Sequence, residues 1–259
     1  MKIRSLLTVA VAAGVLVMSA CASTAQQSSE GSNLVVVAGA TGGTGRALVY
    51  NLQKQGYGVR AFVRDTAKAR VVLGDDVEYV QGDVRDIDSI RPAVAGASYL
   101  ISAIGAGRSD PANGPEQVDF GGVKNLADAA AEAGVRQFVL VSSSGVTQED
   151  HFLNKVMNNV LIWKGWGEEA LRNSGVPYTI VRPGGLINAP GGKEGLVFSQ
   201  GDTTAGRINR EDVALICIAA LDNPAAMGKT FETFSSEEPG SNDWTALFDA
   251  LQADLEGRG

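Results

Sequence analysis

The chain has 259 residues, 44% of them apolar, which suffices for one large α/β domain with a full core. A formal net charge of −7 repels nucleic-acid phosphates, so no nucleic-acid partner is expected and any anionic ligand must be held by a local site. A single His excludes a multi-histidine metal centre, and two Cys, Cys21 and Cys217, are too few for a disulfide framework.

The N-terminus reads as an address rather than as part of the fold. Lys2 and Arg4 precede an apolar run from Leu6 to Met18, shorter than the roughly 20 residues a membrane-spanning helix needs. Small residues, Ser19-Ala20-Cys21, close it. This is the layout of a secretory signal peptide, and Met18 to Cys21 is similar to a bacterial lipobox with Met where Leu is usual. The expectation is a lipoprotein-type signal peptide over residues 1–21 with a lipid on Cys21. A flexible polar tether over residues 22–32 follows, and then one domain over residues 33–259 at the periplasmic side of a bacterial envelope membrane. A plain signal peptide or an uncleaved anchor is the alternative.

From Asn33 onward short β-rich runs alternate with helical text. Strands are predicted over 34–38, 59–63, 77–80, 98–103, 137–141 and 178–181. The first, Leu34-Val35-Val36-Val37-Ala38, is apolar throughout, as a strand covered on both faces must be. A helix to about Gln55 places Leu48, Val49 and Leu52 inward and stops at Gly56-Tyr57-Gly58. Further helices are predicted over 116–133 and 153–174. This alternation argues for an α/β, Rossmann-type doubly wound parallel sheet. A helix near 210–221, a strand near 230–234 and a helix near 244–255 are expected to form a small C-terminal cap on the substrate side.

The strongest motif lies between the first strand and the first helix. Gly39, Gly42 and Gly45 have the spacing GxxGxxG within Gly39-Ala40-Thr41-Gly42-Gly43-Thr44-Gly45. The first glycine permits a tight turn, the second lets main-chain amides approach a pyrophosphate, and the third lets helix and strand pack closely. The helix N-terminus then offers unpaired N–H groups and a positive dipole end to the phosphates. An acidic residue ending the second strand would grip the ribose hydroxyls of NAD. This chain has Arg64 there, with Asp65 next and Lys68 four residues on. Arg64 can fork onto a 2′-phosphate, with Lys68 adding charge, so NADP(H) is preferred and NAD(H) remains possible; the competing reading is a solvated Arg64 paired with Asp65. In Gly82-Asp83-Val84, Asp83 can accept from an adenine amine beside Val84, or else cap the helix that follows Asp86. Ala103-Ile104-Gly105 is small enough to pass beneath a ribose.

Together with the glycine loop, several segments carry a family resemblance. They are Val63-Arg64-Asp65, Gly82-Asp83-Val84, Val118 to Asn125, Val141-Ser142-Ser143-Ser144, and Tyr178 to Gly185. The chain resembles the atypical short-chain dehydrogenase/reductases, in the NAD(P)H-binding group that includes NmrA-like proteins and biliverdin reductase B-type flavin reductases. The resemblance covers roughly residues 33 to 235. It implies a Ser after the fifth strand, best matched by Ser143 with Ser142 beside it, and a Lys on the next helix, matched by Lys164. It also implies a Tyr four residues before that Lys, where this chain has Val160. That Tyr is normally the proton donor to a carbonyl; without it, alcohol/ketone chemistry on the usual pattern is not expected, while Ser143 and Lys164 keep catalytic roles and Ser142 and Lys164 contact the cofactor. Pro183 and Gly184 are expected near the nicotinamide.

Trp163 and Trp166 are read as core residues or, alternatively, as a stacking surface for a flat substrate. His151 is expected in an exposed loop, Asp212 as a helix cap, and Cys217 as buried and inert. The function expected is NADPH-dependent hydride transfer to a small-molecule acceptor such as a flavin or quinone, which draws its proton from solvent. The alternative is a non-catalytic NADP(H)-binding redox sensor or assembly factor.

Overall fold

The computed structural model describes residues 33–107, 111–236 and 243–255, all within the compact unit Gly31–Gly259. The expected signal segment, the tether and Cys21 lie outside the described residues. In chain order the elements are β1 (Leu34–Ala38), α1 (Gly43–Lys54), β2 (Gly58–Val63), α2 (Thr66–Leu73), β3 (Glu78–Gln81), α3 (Ile87–Val94) and β4 (Tyr99–Ser102). A 3₁₀ turn (Pro111–Asn113) and a π-helical stretch (Glu116–Gly122) lead into α4 (Val123–Glu132), followed by β5 (Gln137–Val141). Then come α5 (Phe152–Val156), α6 (Val160–Arg172), β6 (Tyr178–Pro183), β7 (Gly185–Ile187), β8 (Gly195–Ser199) and β9 (Arg207–Asn209). The last elements are α7 (Arg210–Ala219), β10 (Lys229–Ser236) and α8 (Trp244–Asp249).

Eight strands form one sheet in the order β3-β2-β1-β4-β5-β6-β10-β8, with β8 antiparallel to β10 and the other neighbours parallel. Strand order reverses at β1: β2 and β3 build one way, β4 onward the other. The crevice at the carboxyl ends of β1 and β4 is therefore where a doubly wound sheet holds its ligand. Alternate residues of β1 feed two cores. Val35 and Val37 pack with Leu48 and Leu52 of α1, Ile216 of α7 and Phe231 of β10. Val36 and Ala38 pack with Leu126 of α4, Leu171 of α6 and Ile180 of β6. Cys217 is fully buried in the first core, and burial pushes its thiol pKa well up.

Two expectations change. The helix predicted over 153–174 is two helices, because Asn158 and Asn159 both adopt left-handed conformations, with φ of 50° and 58°. Asn tolerates that region better than other side chains. Asn154 braces the break: its Oδ1 accepts from Leu161 N at 2.9 Å, while its Nδ2 donates to Glu149 O at 3.0 Å. The C-terminal elements also divide. β10 and α7 join the main layers, whereas the short parallel pair β7–β9 stands apart, just past the end of β6.

A buried ion network ties these late elements together. Arg182 of β6 faces Glu232 of β10 in register and donates to it at 3.0 Å. It also forks onto Glu168 of α6 at 3.0 and 2.6 Å. Burial opposes the Arg182 charge, but its bonds to Glu168 and Glu232 outweigh that and hold its pKa above the usual value. Removing the cation leaves the buried Glu232 carboxylate without a counter-charge and Glu168 with Arg172 alone, at 2.9 Å. Arg182→Met is therefore expected to cost about 3–5 kcal/mol of unfolding free energy in urea titration; a loss under about 1 kcal/mol would show that the carboxylates find other partners.

Candidate functional site

The site begins where β1 ends. Gly39 has φ +80°, and a Cβ on it would fall 2.6 Å from Ala103 O and 2.9 Å from Ile104 N. Only glycine lets the chain turn here against the end of β4. A Cβ on Gly45 would fall 2.1 Å from Gly39 O, so α1 starts in contact with the turn that launches it. Gly42 differs: its φ of −70° and ψ of 169° suit any residue, and a Cβ on it would meet one atom, Gly39 O, in a tight contact at 3.3 Å. Its lack of a side chain thus leaves open space above the helix end. α1 has no acid in its first turn and no side-chain cap, which leaves its leading N–H groups for an anion.

A cavity of about 240 Å³ opens beside this loop. Of the residues expected to hold a dinucleotide, Gly39, Thr41, Gly42, Arg64, Asp83, Val84, Ala103, Ile104 and Gly105 all line it, while Gly43, Thr44 and Gly45 form the adjoining first turn of α1. Phe62, Val63, Gly82, Gly107, Asn113 and Val118 complete its wall. A bare cradle, uncapped N–H groups and an arginine at the end of β2 fit the diphosphate and adenosine half of a dinucleotide.

Arg64 is not paired with Asp65. Asp65 caps α2, accepting from Lys68 N at 3.0 Å, and pairs with Lys68 Nζ at 3.1 Å. The Lys68 amide and ammonium hold the Asp65 carboxyl below its usual pKa. Lys68 forms an exposed pair with Asp65 and is not among the residues that line the cavity. Arg64 reaches across to Asn113 Oδ1 at 3.4 Å. Asp83 does not cap α3; Asp86 does. Both Asp83 oxygens instead grip Arg85, at 2.9 and 2.7 Å, and the Arg85 hydrogen bonds keep the Asp83 carboxyl below its usual pKa. Arg85 in turn donates to Ala112 O at 2.8 Å, tying the segment that borders the cavity. Sequence reasoning passed over Arg85, although its place two residues after Asp83 was visible.

Lys164 occupies a small cleft that shares Ile104 with the main cavity and includes Ser142 and Asp119. Its Nζ lies 2.7 Å from Asp119 Oδ1, and the Asp119 side chain is fully buried. Asp119 is the missed partner, although it stands within the motif Val118 to Asn125. Ser142 lines this cleft, but its hydroxyl is spent on Glu168, donating at 2.6 Å. Ser143 lies in the same loop, half-buried, its hydroxyl on Ser144 O at 2.9 Å. The loop is clamped by Asp202, which accepts from Gly145 N at 2.6 Å and Thr147 N at 3.0 Å.

The main chain after β6 is less available than expected. Gly184 N donates to Thr233 O at 3.0 Å, and Pro183 O accepts from Ser144 N at 3.0 Å. A Cβ on Gly184 would fall 2.5 Å from Gly206 O, so packing against that loop and Phe234 explains this glycine. Arg210, at the start of α7, is another missed residue. Its stem lies against Gly43, and its Nη1 donates to Asn188 Oδ1 at 2.7 Å.

Four further expectations are amended. His151 is half-buried and caps α5 through Nδ1, accepting from Leu153 N at 3.2 Å, rather than sitting in an exposed loop. Trp163 is half-buried and stacked on Phe120 with centroids 6.1 Å apart. Trp166 is 57% exposed and is no core residue. The N-cap position of α7 is Asn209, and Asp212 in its first turn accepts from Gly192 N at 2.6 Å.

Comparison with known proteins places the chain. Residues 39–224 match the family model described as NAD(P)H-binding. An uncharacterised chloroplastic protein of Arabidopsis thaliana is 38% identical over 83% of this chain and 74% of its own length. Sanguinarine reductase of Eschscholzia californica is 35% identical over 83% of this chain and 94% of its own. The chloroplastic protein TIC 62 of Pisum sativum is 37% identical over 76% of this chain, which spans only 41% of it. A solved structure from Bacillus halodurans, named for NAD-dependent epimerase/dehydratase, superimposes with a TM-score of 0.73 at 26% identity, covering 84% of this chain and 99% of that one.

The plant relatives overturn the expected periplasmic, lipid-anchored location, since two of the three are chloroplastic proteins. The physical reason is that a short basic start, small and apolar residues, and no acid before Glu30 are features that targeting segments of different destinations share. With its glycine turn, the cavity beside it and its doubly wound sheet, the chain belongs to the NAD(P)H-binding family.

Proposed function

We propose that the protein is an NADPH-dependent reductase that passes hydride to a flat, electron-poor small molecule such as a flavin or quinone. The observation that carries the cofactor preference is Arg64 just past β2, which lines the cavity and, among the described residues, forms no ion pair, Asp65 being paired with Lys68. A guanidinium so placed suits a 2′-phosphate. The reduced nicotinamide supplies the hydride. Lys164, oriented by Asp119, is positioned to hold the ribose, and Ser143 is held near the reacting end by the clamped loop that carries it. Val160 stands where a Tyr would donate a proton, so the reading favours an acceptor that takes its proton from solvent. Sanguinarine reductase, which this chain matches over most of both lengths, supports a reductase.

The same Val160 supports a second reading, a NADP(H)-binding sensor or assembly factor, and TIC 62 is a relative over part of its length. Stopped assays of NADPH oxidation against flavins and quinones separate the two. Turnover with either class is expected; tight NADPH binding with no turnover for any acceptor would favour the sensor.

Two variants test the cofactor reading. Arg64→Ala should raise the NADP⁺ dissociation constant by about 10-fold to 100-fold, the worth of a charged hydrogen-bonded contact, and leave NAD⁺ affinity unchanged in calorimetric titration. Equal losses for both nucleotides would remove the 2′-phosphate assignment. Gly42→Val should still fold, since the dihedrals at Gly42 suit any residue and Gly39 O need give way by only a few tenths of an ångström, yet lose about 100-fold or more in nucleotide affinity by filling the cradle; a thermal melt checks the fold. Unchanged affinity would place the nucleotide elsewhere.

A further inference from the structure

The spacing of the phosphate loop requires Gly39, Gly42 and Gly45 but says nothing of Gly43. The structure gives this fourth glycine a reason. A Cβ on Gly43 would fall 2.6 Å from Arg210 Cδ, 2.8 Å from its Nε and 3.7 Å from its Cζ. The arginine therefore lies flat against the first helical residue of α1, in space a side chain at Gly43 would take.

Among the described residues no carboxylate pairs with its charge there. Nη1 donates to Asn188 Oδ1 at 2.7 Å and to Leu186 O at 3.4 Å, both neutral acceptors. The two acids that follow it in sequence are occupied elsewhere. Glu211 Oε2 accepts from Gly191 N at 2.9 Å. Asp212 accepts from Gly192 N at 2.6 Å and from Asn209 Nδ2 at 3.1 Å. Among the described residues Arg210 forms no ion pair. Beside it stands the positive end of α1, which has neither an acid in its first turn nor a side-chain cap. Two centres of like sign held together in a chain of net charge −7 are costly unless an anion lies between them.

We propose that Arg210 is a binding residue for the diphosphate of the dinucleotide. Asn188 and Leu186 O fix one arm of the guanidinium, and the rest of the fork adds a full positive charge to the N–H groups of the glycine loop. This rests on the dinucleotide lying on that loop, but not on the assignment of Arg64, because NAD and NADP share the diphosphate.

Calorimetric titration of Arg210→Gln tests it, with NADP⁺, NAD⁺ and adenosine 2′-monophosphate as ligands. Both dinucleotides should bind about tenfold more weakly, the scale of one charge-assisted contact, while the monophosphate, which lacks the diphosphate, binds as to the unmodified protein. Arg210→Lys keeps the charge and should lose clearly less than the Gln variant. Unchanged dinucleotide affinity in Arg210→Gln would overturn the proposal. So would an equal loss for adenosine 2′-monophosphate, which would mark a merely structural residue, or an equal loss in Arg210→Lys. Failure of the unmodified protein to bind either dinucleotide would instead bring down the placement on the glycine loop.

Discussion

The closeness of two main-chain segments governs this fold. The turn after β1 presses against the chain leaving β4, near enough that a single methylene on Gly39 would overlap Ala103 O. That contact fixes where α1 starts, and so where its leading amides point. It also draws Ala103, Ile104 and Gly105 under the same cavity as the glycine loop. Because strand order reverses at this point, the opening that results is a consequence of the winding and not of any one side chain. Arg64 and Val84 come to the cavity because β2 and β3 are parallel to β1 and end at the same level.

The parallel sheet was readable because its strands are short apolar runs bounded by glycine and polar residues, and the lining of the main cavity was readable because its parts follow successive strands. What stayed hidden depends on contacts distant in sequence or on single backbone conformations. The break between α5 and α6 rests on Asn158 and Asn159 in left-handed geometry, which helical periodicity does not register. Lys68 read as a phosphate ligand because its charge was visible while its bond to Asp65 was not. Ser142 looked like a contact of the cofactor, but Glu168, on another element, claims its hydroxyl. Arg210 was legible as the start of a helix; its placement on Gly43 required α7 to pack across α1, which no local pattern announces.

The buried ions show a different economy from the hydrophobic layers. Glu168, Arg182 and Glu232 tie α6, β6 and β10 together near one edge of the main sheet. Such a group contributes less net stability than a well-packed apolar cluster of equal volume, but its geometry is directional. Through Ser142 on one side and the bond from Asp202 N to Glu232 Oε2 on the other, it reaches both ends of the loop that carries Ser143. Packing alone would not set that loop's shape so narrowly.

The Asp202 clamp also bears on how the polypeptide settles as it emerges from the ribosome. The pocket wall from Gly39 to Val118 is encoded in the first half of the domain, and its strands β1 to β4 are neighbours in the sheet. The serine loop, by contrast, takes its shape from Asp202 and, through it, from Glu232, dozens of codons downstream. Yet Val35 and Val37 of β1 pack on Ile216 of α7 and Phe231 of β10, so cleft and serine loop alike wait on the C-terminal third and the domain settles as one unit.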